Sequence, residues 1–235
     1  MRILSCIVLL ALIVLSPLGA SASAKIVVLG DSLSAAYGIE KQRGWVALLQ
    51  QRLRERQLDY EVVNASITGD TTRGGLSRLP ATLAREDPAI LIVELGGNDG
   101  LRGFAPEQTR ENLRAMIEKA RAANARVLLL GIRLPANYGN AYGEKFHRIY
   151  RELAEEQQVA LVPFFLEGVA ETRALMQPDG IHPGVEAQPR ILDNVWAGLE
   201  PLLTREVAGS GERGEGTATT RRQSHQHASS PVEIP

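Results

Sequence analysis

Cysteine is almost missing from this chain. Of 235 residues only Cys6 carries a thiol, and it lies in a segment that reads as a removable leader. Arg2 precedes an apolar run from Ile3 to Leu15, followed by Pro17, Gly19 and the small residues Ala20-Ser21-Ala22-Ser23-Ala24. That is the basic, apolar and small-residue succession of a secretory signal peptide over residues 1–24, with cleavage expected after Ala22 or Ala24. The run is shorter than the ~20 apolar residues that span a bilayer. No stable membrane anchor is therefore expected in the mature chain, which belongs in the periplasm or outside the cell. Once the leader is removed no cysteine remains. That excludes a disulfide, a thiol nucleophile and a thiolate zinc site. Any nucleophile has to be oxygen or nitrogen.

Net charge is also lacking. A formal charge of −1 at pH 7 gives no electrostatic footprint for nucleic acid, and none is expected as a partner. Aromatic residues are few, at 5%, so no sugar-stacking platform is evident. Large apolar residues nearly vanish over residues 205–235. Such a stretch buries too little surface to offset its ordering entropy and reads as a disordered tail, with His225 and His227 as solvated side chains. What remains, residues 25–204, is the length of one domain. It shows no internal repeat, and a monomer is expected.

Within that domain apolar runs alternate with helical patterns. Residues 25–29, 61–64, 89–95, 126–130 and 159–162 read as strands. Helices are expected over residues 44–56, 76–85 (strained by Pro80), 106–122, 142–157 and 187–203. Pro106 and Pro189 fall in first turns, where a missing N–H does least harm. Near-continuous apolar strands separated by helices predict a parallel sheet covered on both faces. The expected fold class is α/β, a three-layer α/β/α sandwich around a central parallel five-stranded sheet of flavodoxin-like type. In such sheets ligands bind beyond the carboxyl ends of the strands.

Four polar clusters fall there. They are Gly30-Asp31-Ser32-Leu33, Asn64-Ala65-Ser66-Ile67-Thr68-Gly69-Asp70, Gly96-Gly97-Asn98-Asp99 and, before the last helix, Asp179-Gly180-Ile181-His182. Ser32 alone reads equally as a helix cap, and the Gly-x-Ser-x-Gly nucleophile elbow is absent. A hydroxyl needs a base near neutral pH. Only His147 and His182 lie inside the domain, and His147 is expected on the surface of a helix. Asp179, three residues before His182, is placed to meet its Nδ1–H while Nε2 faces the serine. Pro178-Asp179-Gly180 is also a turn by composition. Asn98 offers a side-chain amide, and Ser32 and Gly69 offer backbone N–H groups, as donors to an oxyanion. Asp31 and Asp99 read as loop-stabilising side chains.

Other readings remain open at this point. Asp31, Asp99, Asp179 and His182 would suit Mg²⁺ or Mn²⁺ in a phosphoesterase. The same cleft would serve a lipid- or glycan-binding module without catalysis, or a carbohydrate O-acetyl esterase.

The four clusters resemble the blocks of the SGNH, or GDSL, hydrolase family, named for the serine, glycine, asparagine and histidine matched here by Ser32, Gly69, Asn98 and His182. The resemblance covers residues 25–203. Val62-Val63-Asn64-Ala65-Ser66-Ile67, the run from Val93 to Gly103, and Ile132-Arg133-Leu134-Pro135-Ala136-Asn137-Tyr138-Gly139 are similar to the branch of periplasmic multifunctional acyl-CoA thioesterases, lysophospholipases and arylesterases of Gram-negative bacteria. The resemblance implies a serine hydrolase of small acyl esters and thioesters. Ser32, Asp179 and His182 would be catalytic, and Ser32, Gly69 and Asn98 would form the oxyanion hole. It implies no cofactor and no metal. It also implies that the 97–104 loop and Leu134-Pro135 border the acyl site. The tail departs from the compact pattern of the family.

Overall fold

A computed structural model of the protein describes residues 23–203. The expected leader, apart from Ser23 and Ala24, and the expected tail lie outside the described residues. Strand β1 (Ala24–Gly30) is fully buried from Ile26 on, because its apolar run is covered from both sides. It lies between β2 (Tyr60–Asn64) and β3 (Ile90–Glu94), and the sheet continues through β4 (Arg126–Leu130) to β5 (Ala160–Val162). All four pairings are parallel, with Ile26 opposite both Val62 and Ile90. The fold is the expected three-layer α/β arrangement. The chain leaves β1 toward β2 and then crosses back to β3, so the strand order reverses beside β1. A crevice opens at such a switch point, outside the carboxyl ends of the strands.

The helices fall into two groups. Helices α1 (Trp45–Glu55) and α6 (Gln188–Leu203) are joined by Trp45 N–H to Gln188 Oε1 at 3.0 Å and by Arg52–Asp193 and Arg56–Glu200 ion pairs. The second group is α2 (Thr72–Glu86), α4 (Pro106–Ala122) and α5 (Asn140–Gln157), which pack in that order. Helix α2 starts a turn earlier than the apolar spacing predicts. The Thr71 side chain accepts the Gly74 N–H at 3.2 Å and caps a first turn that the Gly74-Gly75 pair disguises. Pro80 is exposed inside the helix, which runs on to Glu86. Residues 97–101, expected as loop, form the short helix α3 (Gly97–Leu101).

At the amino edge of the sheet the connections 56–59, 87–89, 123–125 and 158–159 are short. Each turns on one left-handed residue that is not glycine: Gln57, Asp87, Asn124 or Gln158, with φ between 45° and 61°. At the same edge the Arg126 guanidinium donates to the Leu202 carbonyl and ties the end of α6 to the start of β4. The carboxyl-edge connections are longer, and the four polar clusters lie on them.

Candidate active site

Past the end of β1 the chain makes one helical turn. Ala35 N–H donates to Asp31 O at 2.9 Å and Tyr37 N–H to Ser32 O at 3.1 Å. The turn is anchored from behind by Glu94, the charged residue that ends the otherwise apolar β3. Its Oε2 accepts the Asp31 N–H at 3.2 Å and the Ser34 hydroxyl at 2.7 Å. Burial, then the neighbouring Asp31, push the Glu94 carboxyl well above the usual carboxylate range.

Ser32 Oγ lies 2.9 Å from His182 Nε2, and His182 Nδ1 lies 2.7 Å from Asp179 Oδ2. A carboxylate only accepts, so the ring proton sits on Nδ1 and Nε2 is left as an acceptor for the serine hydroxyl. The second Asp179 oxygen accepts the backbone N–H groups of Ile181 at 2.9 Å and His182 at 3.0 Å. The His182 backbone N–H, then its ring, then Ile181 hold the Asp179 carboxyl down at about 2. It therefore stays ionised near neutral pH. The loop that carries the pair is closed by Gln177 N–H to His182 O and Gly184 N–H to Leu175 O, both 2.7 Å. Gln177 Nε2 also donates to Tyr37 O at 2.8 Å, and the Tyr37 ring lies 4.4 Å from the imidazole. The serine turn and the histidine loop are thus locked together, although 150 residues separate Ser32 from His182.

Three candidate donors sit on segments tied to the serine turn. Asn98, in the first turn of α3, gives one amide hydrogen to Asp31 Oδ2 at 3.0 Å and keeps the other. Gly69 sits at φ 78°, in the left-handed region, and Arg102 donates to its carbonyl at 2.9 Å. Neither the Ser32 N–H nor the Gly69 N–H donates to any group among the described residues. Arg78 holds the Gly69 loop against β1 by donating to Asp70 Oδ2 at 2.8 Å, to Ala65 O, and to Gly30 O at 3.3 Å. Gly96 sets the start of α3 at φ 121°. A Cβ there would stand 2.1 Å from the Tyr150 hydroxyl, which is bonded to Leu95 O.

Beside the serine turn opens a cleft of about 450 Å³ with mostly apolar walls, among them Leu101, Ile132, Leu134, Pro135, Phe165 and Met176. Leu33 and Gly97, neighbours of Ser32 and Asn98, form its near end. Its size and lining suit a small apolar ligand.

His147, expected on the surface, is half-buried. Its Nδ1 meets Ile132 O at 3.1 Å, and burial lowers its pKa. Asp99 is bonded to the backbone N–H and hydroxyl of Thr72, at 2.9 and 2.5 Å, and ties α3 to α2. Among the described residues no three His, Asp or Glu side chains gather as a cation cage. Sequence reasoning gave no part to Glu94, Tyr37, Gln177 or Arg78. Only Glu94 carries a signal, as a carboxylate closing a buried apolar strand.

The profile of the GDSL-like lipase/acylhydrolase family matches residues 28–188. Over 194 residues the chain is 58% identical to the protein named esterase TesA of Pseudomonas aeruginosa, covering 83% of this chain and 96% of that one. It is 48% identical over 194 residues to the Escherichia coli K12 protein named thioesterase 1/protease 1/lysophospholipase L1, covering 83% of this chain and 92% of that one. A crystal structure of TesA matches with a TM-score of 0.75 at 60% identity, over 76% of this chain and 99% of that one. The profile match spans all four polar clusters, and the chain belongs to the GDSL-like lipase/acylhydrolase family.

Proposed function

We propose that this protein hydrolyses carboxylic ester and thioester bonds of acyl substrates, such as aryl esters, acyl-CoA and lysophospholipids, through an acyl-enzyme on Ser32. The observation that carries the reading is the hydrogen-bonded series Ser32–His182–Asp179 at the end of an apolar cleft. Neutral His182 takes the hydroxyl proton through Nε2 as Ser32 Oγ attacks the acyl carbonyl. Asp179 orients the imidazole and stabilises it once charged. The Ser32 N–H, the Gly69 N–H and the free Asn98 amide hydrogen receive the oxyanion. As the tetrahedral intermediate collapses, His182 gives its proton to the departing alkoxide or thiolate. Water then repeats the two steps on the acyl-enzyme and releases the carboxylic acid. Leu134 and Pro135 line the space for the acyl chain. Every step uses side chains and backbone of this chain, with no metal and no cofactor.

The names of the two relatives, esterase and thioesterase/lysophospholipase, agree with this substrate class. A periplasmic or secreted location fits the leader-like segment. Cleavage after Ala22 suits the fold better than cleavage after Ala24. Ser23 donates to Asp59 at 2.6 Å and Ala24 already pairs with Tyr60 in the sheet.

The test is a fluorophosphonate probe with mass-spectrometric mapping of the adduct, followed alongside hydrolysis of a short p-nitrophenyl ester. Labelling of Ser32 with matching loss of hydrolysis is the expected result. A folded protein that neither labels nor hydrolyses the ester removes the reading.

A further inference from the structure

Asp31 stands beside the nucleophile, is 1% exposed, and has no part in the proton relay. Both of its oxygens are nonetheless engaged. Oδ1 accepts the Leu33 N–H at 3.0 Å and bends the turn on which Ser32 sits. Oδ2 accepts the Asn98 Nδ2–H at 3.0 Å, across 67 residues.

The second bond bears on the chemistry of the oxyanion. A primary amide has one end that donates and one that accepts, of nearly the same shape. Turned one way Asn98 presents N–H to the reacting carbonyl oxygen; turned the other way it presents a carbonyl, which repels an oxyanion. A carboxylate tolerates only the donor end. Asp31 thereby decides which end of Asn98 lies beside Ser32 and leaves one hydrogen free for the substrate. Asp31 is itself held by Glu94, which accepts its backbone N–H.

We propose that Asp31 is a positioning residue of the oxyanion hole, which acts on the acyl-transfer step by pinning the donor end of Asn98 toward the nucleophile.

The inference rests on the serine-esterase reading for its kinetic arm. The titratable groups that act on Asp31 are Glu94 from β3, His182 from the loop before α6, Asp70 from the connection after β2 and Tyr150 from α5. Burial is the main cause that moves the Asp31 carboxyl up to about 6, opposed by the bonds from Leu33 and Asn98. Above that pH Asp31 is a double acceptor. Below it one oxygen becomes a hydroxyl, and Leu33 and Asn98 can no longer both be served.

The kinetic test is a double-mutant cycle on a short soluble ester. Asn98→Ala is expected to lower kcat by ~10²–10³-fold, the loss typical of one oxyanion donor. Asp31→Ala is expected to lower kcat by roughly 10–100-fold with KM within about twofold, because only transition-state binding is lost. The double variant should lose far less than the product of the two single losses, since Asp31 then has no amide left to position and keeps only its bond to the Leu33 N–H. Losses that multiply would assign Asp31 a separate structural role and overturn the proposal, as would an Asp31→Ala enzyme with full kcat. Should Asp31→Ala fail to fold, Asp31→Asn keeps the shape and one acceptor oxygen; its kcat is expected between those of wild type and Asn98→Ala, and a kcat equal to wild type overturns the proposal.

A second arm does not need activity. The Asn98 side-chain ¹H–¹⁵N amide pair, assigned by its loss in Asn98→Ala, is expected to show one strongly downfield proton that moves as pH passes through about 6. Asp31→Asn should abolish that movement. If the wild-type protein hydrolyses no ester, the functional reading fails, and the amide signals still decide this one: an Asn98 pair indifferent to Asp31 overturns it.

Discussion

The two edges of the sheet are built by opposite rules. At the amino edge, connections of a few residues turn on Gln57, Asp87, Asn124 and Gln158 in left-handed conformation, and no member of the site lies there. At the carboxyl edge the connections are longer, apart from the two residues that lead from β3 into the short α3. All five large apolar side chains exposed among the described residues are found there, one per connection: Tyr37 after β1, Ile67 after β2, Phe104 after α3, Tyr138 after β4 and Ile181 after β5. One edge fixes the chain path with short turns. The other leaves donors without protein partners and apolar groups in water, both unfavourable for folding alone and both useful to a reaction on acyl groups. Stability and chemistry are thus divided between two ends of the same strands.

By that division, substitutions at the carboxyl edge should move rate and those at the amino edge should move stability alone. The largest effect is expected for Ser32→Ala. Ester turnover should fall by ~10⁴-fold or more, with the melting temperature essentially unchanged; retained turnover would detach the serine from the chemistry. Gly96→Ala tests where the two kinds of role meet. It combines a positive φ of 121° with a Cβ 2.1 Å from Tyr150 Oη. Strain and overpacking together should cost roughly 3–5 kcal/mol, read by urea unfolding, and the displaced α3 should slow turnover as well.

Smaller is the pH dependence set by Asp31. Its folded pKa is raised from 3.8 to about 6, so the native state binds a proton more tightly than the unfolded chain. The contribution is present below about pH 4 and is lost as pH rises through 6. A shift of about two units corresponds to roughly 3 kcal/mol at most. Thermal melts between pH 4 and 7 should show Asp31→Asn gaining on wild type across that window and not beyond it. A constant difference would mean that Asp31 titrates normally. The smallest effect is expected at the amino edge. Gln158→Gly relieves a left-handed penalty of ~1–2 kcal/mol and adds ~0.4–1 kcal/mol of unfolded-state entropy. The net gain should be about 0.5 kcal/mol in urea unfolding with turnover unchanged. A loss of turnover there would break the comparison outright.

Much of this was legible in the sequence. Apolar runs ending in glycine or polar residues marked β1 and β3 within a residue or so, because strands buried on both faces admit little else. Ser32 and His182 stood out because cysteine was excluded and histidine is scarce. The chain's second domain histidine was misread as a surface residue, since a helical position does not reveal that the Ile132 carbonyl lies within reach of its ring. Helix α3 was missed because five residues with two glycines carry no periodicity. The start of α2 was missed because its cap is a single threonine ahead of a glycine pair. The bonds from Asn98 to Asp31 and from Gln177 to Tyr37 join distant segments and have no local pattern.

The Arg126–Leu202 bond has a practical side. It brings the end of α6 to the same edge at which Ala24 enters the sheet, opposite the mouth of the cleft. A solid support or carrier protein joined at either of these two points would stand behind the sheet, and an immobilised catalyst made in that way would keep its opening turned toward the solution.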